Sequence, residues 1–168
     1  MTLRRMYKTQ VVGEPCSRLQ SISLVLTVVL LLGGLVSCAL SSTSQWRMDG
    51  KSMEPNLNDG QTVEAESIED LSSLQRGDII IFEWEENSLL KRLVGLPGET
   101  IEIRQGSIII NGEVYNEPYD VIPPEYEREP IKLGQDEYYV LGDNRNDSRD
   151  SHNFGPITGE MIKGRVIP

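Results

Sequence analysis

The sequence predicts a mostly β domain, a β-meander with barrel-like closure, behind a single N-terminal transmembrane helix. Three observations carry this prediction. Residues 21–40 form an uncharged apolar run long enough to cross a bilayer as a helix. Beyond it, short runs rich in Ile, Val, Tyr and Phe alternate with turn residues. One of those turns, Asn111-Gly112 between two apolar stretches, is the strongest short-range signal for a β-hairpin.

Residues 1–20 hold Arg4, Arg5, Lys8 and Arg18 and read as a basic cytoplasmic tail. As a helix, residues 21–40 would reach about 30 Å, the thickness of the hydrocarbon core. The basic flank keeps the N-terminus in the cytoplasm and sends residues 41–168 across the membrane. A cleaved secretory signal is a rival reading, but the run is long for one. A lipoprotein signal is another, because Leu35-Val36-Ser37-Cys38 resembles the site at which bacterial lipoproteins are cut and acylated. All three readings place residues 41–168 outside the cytoplasm.

After a polar link over Ser41–Arg47, Met48-Asp49-Gly50-Lys51-Ser52-Met53-Glu54-Pro55 reads as a constrained turn. Residues 60–66 read as a turn and a short strand, and 70–75 as an irregular or helical connector. Ile79–Trp84 is β-branched and aromatic, a buried strand. Glu85-Glu86-Asn87 turns it into a second strand that holds Lys91. Residues 101–104, 107–110 and 113–115 complete a meander through Gln105-Gly106 and Asn111-Gly112. Residues 117–130, broken by Pro118, Pro123, Pro124 and Pro130, read as an acidic surface loop free to move and without chemistry. Tyr138–Leu141 is a strand that delivers the polar Gly142–Ser151 segment, and Ile162–Ile167 closes the sheet.

The net charge of the 168 residues is −10. Residues 1–44 contain four basic residues and one acid, so the remainder, with twelve basic and twenty-five acidic residues, carries −13. That balance argues against a nucleic-acid partner, which rewards basic faces. Cys16 and Cys38 both lie outside the predicted domain, which excludes a disulfide within it. The only histidine is His152, and no cysteine pair has ligand spacing, so neither metal nor cofactor is expected. A calcium loop over 142–151 is disfavoured because Arg145 and Arg149 interrupt its oxygens.

Two residues combine into a candidate site. Ser52 sits in the open turn, although capping that turn is its ordinary role. Lys91 shares a strand face with Leu89 and Leu93, an environment that penalises the ammonium. A lysine with an unperturbed pKa of about 10.4 is neutral in only ~0.04% of molecules at pH 7, a handicap of roughly 4.6 kcal/mol for a general base. Desolvation reduces that handicap, and a serine beside such an amine needs no histidine to lose its proton. Lys51, adjacent to Ser52, points elsewhere and reads as solvated.

Three segments stand in order along the chain: Ser52-Met53-Glu54-Pro55, Lys91-Arg92-Leu93-Val94-Gly95-Leu96-Pro97-Gly98-Glu99, and Gly142-Asp143-Asn144-Arg145-Asn146-Asp147-Ser148-Arg149-Asp150-Ser151. Together they resemble type I signal peptidases, the membrane-anchored serine proteases that remove signal peptides from exported proteins. The resemblance implies a Ser52 nucleophile and a Lys91 general base, with Ser148 holding the amine and Asp150 in the scaffold behind it. It implies preproteins with signal peptides as substrates and membrane lipid as surroundings; oligomeric state is left open. For the oxyanion, the backbone N–H of Ser52 is one candidate donor. Some relatives supply a second from a serine where this chain has Gly50, so here it must come from backbone or water. Asn56 stands where the family often has Thr, and His152 where many members have Arg.

A signal-peptide end added as a strand would send alternate residues to one face, with Met48, Leu89, Leu90 and Leu93 as apolar walls. Three alternatives stand beside this reading: a Ser52-His152-Asp150 triad, a membrane-tethered binding domain or lipoprotein without activity, and a self-cleaving repressor-type peptidase. The apolar anchor argues against the last.

Overall fold

The computed structural model describes residues 43–167. The tail over 1–20, the apolar run over 21–40 and Cys38 lie outside the described residues. Among the described residues no helix is long and apolar enough to cross a membrane.

The chain forms strands β1 (Thr43–Arg47), β2 (Thr62–Ser67), β3 (Ile79–Trp84), β4 (Asn87–Gly95), β5 (Thr100–Arg104), β6 (Ser107–Ile110) and β7 (Glu113–Val114). There follow β8 (Arg128–Lys132), β9 (Glu137–Leu141), a one-turn helix α1 (Ser151–Phe154), β10 (Ile157–Thr158) and β11 (Ile162–Val166). A seven-stranded sheet runs β1-β2-β11-β3-β4-β9-β10, and a four-stranded sheet runs β7-β6-β5-β8. The mostly β prediction holds, and β11 closes the larger sheet by pairing with both β2 and β3.

The hairpins form where turn chemistry places them. β3 and β4 pair from Ile79 opposite Arg92 to Trp84 opposite Asn87. Glu85, Gln105 and Asn111 take positive φ at the three tight turns, a conformation in which Asn is favoured among side-chain-bearing residues. Gly95 marks the point where β4 leaves the larger sheet. A Cβ there would lie 2.8 Å from Tyr139 Cβ and 2.9 Å from Ile101 side-chain atoms, so only glycine lets the two sheets approach. Val94, Tyr139 and Leu141 from one sheet then pack with Ile101, Ile103, Ile108 and Ile110 from the other.

Three expectations are corrected. The polar link before Arg47 is strand β1, an exposed edge that pairs with β2. Residues 117–130 are not a free loop. Their end enters β8, an edge strand that tolerates Pro130. Their middle is tied to the 142–145 segment, where Ile122 bridges Asn144 and Glu117 forms a two-pronged pair with the fully buried Arg145. The third concerns Leu93, which lies wholly within the core with Ile80, Phe82, Tyr138 and Val140.

Candidate active site

Ser52 owes its position to the residue after it. Met53 is completely buried and packs with Met48, Leu57 and Val63, an apolar peg that fixes the turn on the sheet. Backbone bonds from Glu54 N to Lys51 O and from Leu57 N to Met53 O close it. Asn56 adds a tether, its Nδ2 donating to Asp143 Oδ2 (2.8 Å) and Asp120 O (2.6 Å). Asn144 N donates to the Ser52 carbonyl at 3.1 Å, so the turn is clamped from both sides.

Lys91 and Arg92 are consecutive strand residues and project to opposite sides of β4. The Lys91 amine reaches Ser52, with Nζ 2.7 Å from Oγ, and donates to Leu90 O at 3.1 Å. Lys91 is only 4% exposed. Burial pushes its pKa down to about 8, while Asp150 and then Asp143 oppose that shift by favouring the ammonium. The result places the amine's titration within reach of working pH.

Arg92 takes the other side. Its Nε and Nη2 grip Asp143 Oδ1 and Oδ2 at 2.7 and 2.6 Å, Nη1 donates to Gly77 O, and the guanidinium lies 3.8 Å from the centre of the Tyr119 ring. Asp143 is fully buried. This ion pair therefore joins β4, the segment after β9 and the proline-rich excursion into one support for the Ser52 turn.

Asp150 is also fully buried. It caps α1 by accepting from His152 N, and it receives Gly142 N (2.8 Å) and the His152 Nδ1 contact (2.7 Å). His152 bonds to this carboxylate and stacks on Tyr126, without a hydrogen bond to Ser52. The Asp150–His152 half of the Ser52-His152-Asp150 triad is present, but its other half is not: no ring nitrogen of His152 bonds to Ser52, whose Oγ meets Lys91 Nζ instead.

Ser148 departs from expectation. Its Oγ is buried without a hydrogen-bond partner, and Lys91 Nζ bonds to Ser52 and Leu90 instead. The space around it is tight: a Cβ at position 142 would collide with both Ser148 Oγ and the Ser52 carbonyl oxygen. Gly142→Ala is therefore expected to displace the serine turn, with a stability loss of about 1–3 kcal/mol from overpacking. Thermal melting together with a Ser52-directed acylating probe would read both effects.

Gly50 does not serve as a second oxyanion donor here. Its N–H donates to Asp59 Oδ1 at 2.9 Å, and its positive φ of 91° fits a residue without a side chain. Of the expected apolar walls, Met48, Leu89 and Leu90 do line the cleft beside Ser52 and Lys91, whereas Leu93 faces the core. Trp46, Arg47, Asp49 and Ser88 complete that cleft. Sequence reasoning missed them for lack of any apolar or catalytic pattern. Lys51 is exposed, as expected. From Asn87 to Lys91, β4 has β3 on one edge and, among the described residues, no strand on the other, since its pairing with β9 begins at Arg92.

A β scaffold presenting a serine hydroxyl to a buried lysine amine in an open cleft has the parts of a peptide-bond hydrolase. The chain belongs to the signal peptidase family, peptidase S26, whose model matches residues 19–168. Among its relatives, the probable signal peptidase I-2 of Synechocystis sp. is 40% identical over 126 residues, which cover 69% of this chain and 57% of that protein. Signal peptidase I of Leptolyngbya laminosa is 40% identical over 129 residues, covering 70% of this chain and 63% of the relative. The thylakoidal processing peptidase 1 of Arabidopsis thaliana is 35% identical over 130 residues, covering 69% and 38% respectively. The chain thus spans less than two thirds of the length of each.

Proposed function

We propose that this chain is a membrane-bound serine endopeptidase that removes signal peptides from exported preproteins. Ser52 is its nucleophile and Lys91 its general base. The observation that carries the reading is the 2.7 Å approach of a buried amine to a turn hydroxyl. Family membership supports the same reaction.

In this mechanism the substrate's C-terminal signal segment lies along the unpartnered edge of β4 as an added strand. Neutral Lys91 accepts the Ser52 proton as Oγ attacks the scissile carbonyl, forming a tetrahedral oxyanion. The Ser52 N–H faces that oxygen as one donor. Collapse breaks the C–N bond as Lys91 returns its proton to the leaving amine. Water, deprotonated by the same amine, then cleaves the acyl-enzyme and restores Ser52. The buried Asp150 carboxylate, in the scaffold behind the amine, stabilises the ammonium formed midway.

The apolar run over 21–40 anchors the protein, with residues 1–20 in the cytoplasm and residues 41–168 on the far side of a cell or thylakoid-type membrane. Preproteins and membrane lipid are its partners. Cleavage of a preprotein by the detergent-solubilised full chain, absent in Ser52→Ala, tests the reading; a binding domain without activity would cleave in neither case.

The pH dependence has a definite sign. Lys91 works unprotonated, so kcat/KM for cleavage should rise tenfold per pH unit on the acid side and level off above the lysine titration at about 8. A pH–rate profile flat between pH 6 and 9 would contradict an amine base.

A further inference from the structure

His152 stands beside the proposed machinery without touching the serine, yet it is held with care. Its Nδ1 lies 2.7 Å from Asp150 Oδ1, its backbone N–H donates to the same oxygen at 3.1 Å, and its side chain is only one-tenth exposed. The ring stacks on Tyr126, with centroids 4.2 Å apart and planes inclined by 20°. Arg128 closes the far side, its Nε donating to the His152 carbonyl and its guanidinium 5.3 Å from the Tyr126 ring. Asp150, Arg128 and Arg145 act on the Tyr126 hydroxyl, and Asp150 acts also on that of Tyr139, so these groups and Lys91 make up the charged and titratable surroundings of the Asp150–His152 pair among the described residues.

We propose that His152 is a positioning residue that acts on Lys91 through Asp150: the imidazole fixes the orientation of the buried carboxylate whose charge the amine meets, so the charge carried at position 152 sets how much of that field remains. The inference rests on the proposed reaction for its meaning, though not for its physics. Three observations connect the groups. The imidazole occupies Oδ1 while Gly142 N occupies Oδ2, so the carboxylate is locked in orientation. Asp150 is without solvent exposure, so its charge is poorly screened. Asp150 is also the largest influence that favours the charged form of Lys91.

A neutral imidazole orients Asp150 and leaves its charge intact, whereas an imidazolium, or a guanidinium in its place, cancels part of that charge. Removing negative field disfavours the ammonium, so a fixed cation at position 152 should move the lysine titration to lower pH.

The test uses the full chain in detergent micelles with 13Cε-labelled lysine. The Lys91 resonance, assigned by its loss in Lys91→Ala, is followed with pH beside the pH profile of preprotein cleavage. In H152R both the Lys91 titration and the acid limb should fall by about 0.5–1 pH unit. In H152Q, a neutral donor, both should stay within about 0.2 unit of the parent. His152→Lys carries the same expectation as H152R should that variant not fold. An unmoved Lys91 titration in the cationic variants, or an equal shift in H152Q, overturns the inference. A moved titration in a chain that cleaves nothing leaves this coupling intact and overturns the proposed function instead.

Discussion

Ser52→Ala and Lys91→Ala should each lower kcat/KM for preprotein cleavage by at least about 10⁴-fold, and the double variant should lose no more than either alone. The reason is that the two side chains act as one unit. Without Oγ no acyl-enzyme forms, and without Nζ the hydroxyl keeps its proton at neutral pH. Neither truncation should unfold the domain. Ser52 contributes little apolar area, and the turn keeps its Met53 peg and its Asn144 clamp. Lys91→Ala removes an amine whose charge opposes burial at 4% exposure, so part of the lost packing is offset by the lost desolvation cost. Circular dichroism melts within a few degrees of the parent, with activity absent, are the expected pair of results. Additive losses in the double variant would show that the residues act independently and would end the dyad reading.

The same buried amine links activity to stability. Its folded pKa, at about 8, lies below the ordinary lysine value. Folding therefore carries a penalty for Lys91 that is full below pH 8 and relieved as pH rises toward the unfolded value. The direction that makes Lys91 a base is the direction that costs stability.

How far the sequence reveals this arrangement depends on the kind of signal each element carries. The β3–β4 hairpin and the β5–β6–β7 meander follow from local chemistry, since turn residues with access to positive φ separate apolar runs of strand length. The Ser52–Lys91 approach is not local: thirty-nine positions separate them, and motif resemblance alone brought them together. The 117–130 segment misled for a physical reason. It has no hydrophobic period because its contacts are individual ones, Tyr119 on Arg92 and Glu117 on Arg145, and single polar or aromatic anchors leave no pattern to read. Strand β1 escaped notice for a related cause, being an exposed polar edge whose only regular bonds are to β2. Alternation with Lys91 places Leu93 at the cleft. Alternation gives the side of a strand but not the depth, and where β9 joins β4 that side is already core.

Asp143→Ala is expected to destabilise the domain by about 3–5 kcal/mol, because it strands the Arg92 guanidinium, 6% exposed, without its carboxylate. Against a typical total of 5–15 kcal/mol, that loss is a large share. Asp143→Asn should be milder, since an amide keeps the shape and one acceptor for Arg92 while losing the charge. The pair also reaches the chemistry. Asp143 accepts from Asn56, which tethers the serine turn, and its charge adds to that of Asp150 in favouring the Lys91 ammonium. In Asp143→Asn the acid limb of the pH–rate profile should therefore move toward lower pH while kcat falls, because the base is more easily freed but the turn is less firmly held. Urea denaturation together with the pH profile separates the two effects. A variant with parental stability would mean that the buried pair contributes nothing net, and an unmoved acid limb would mean that its charge does not reach the amine.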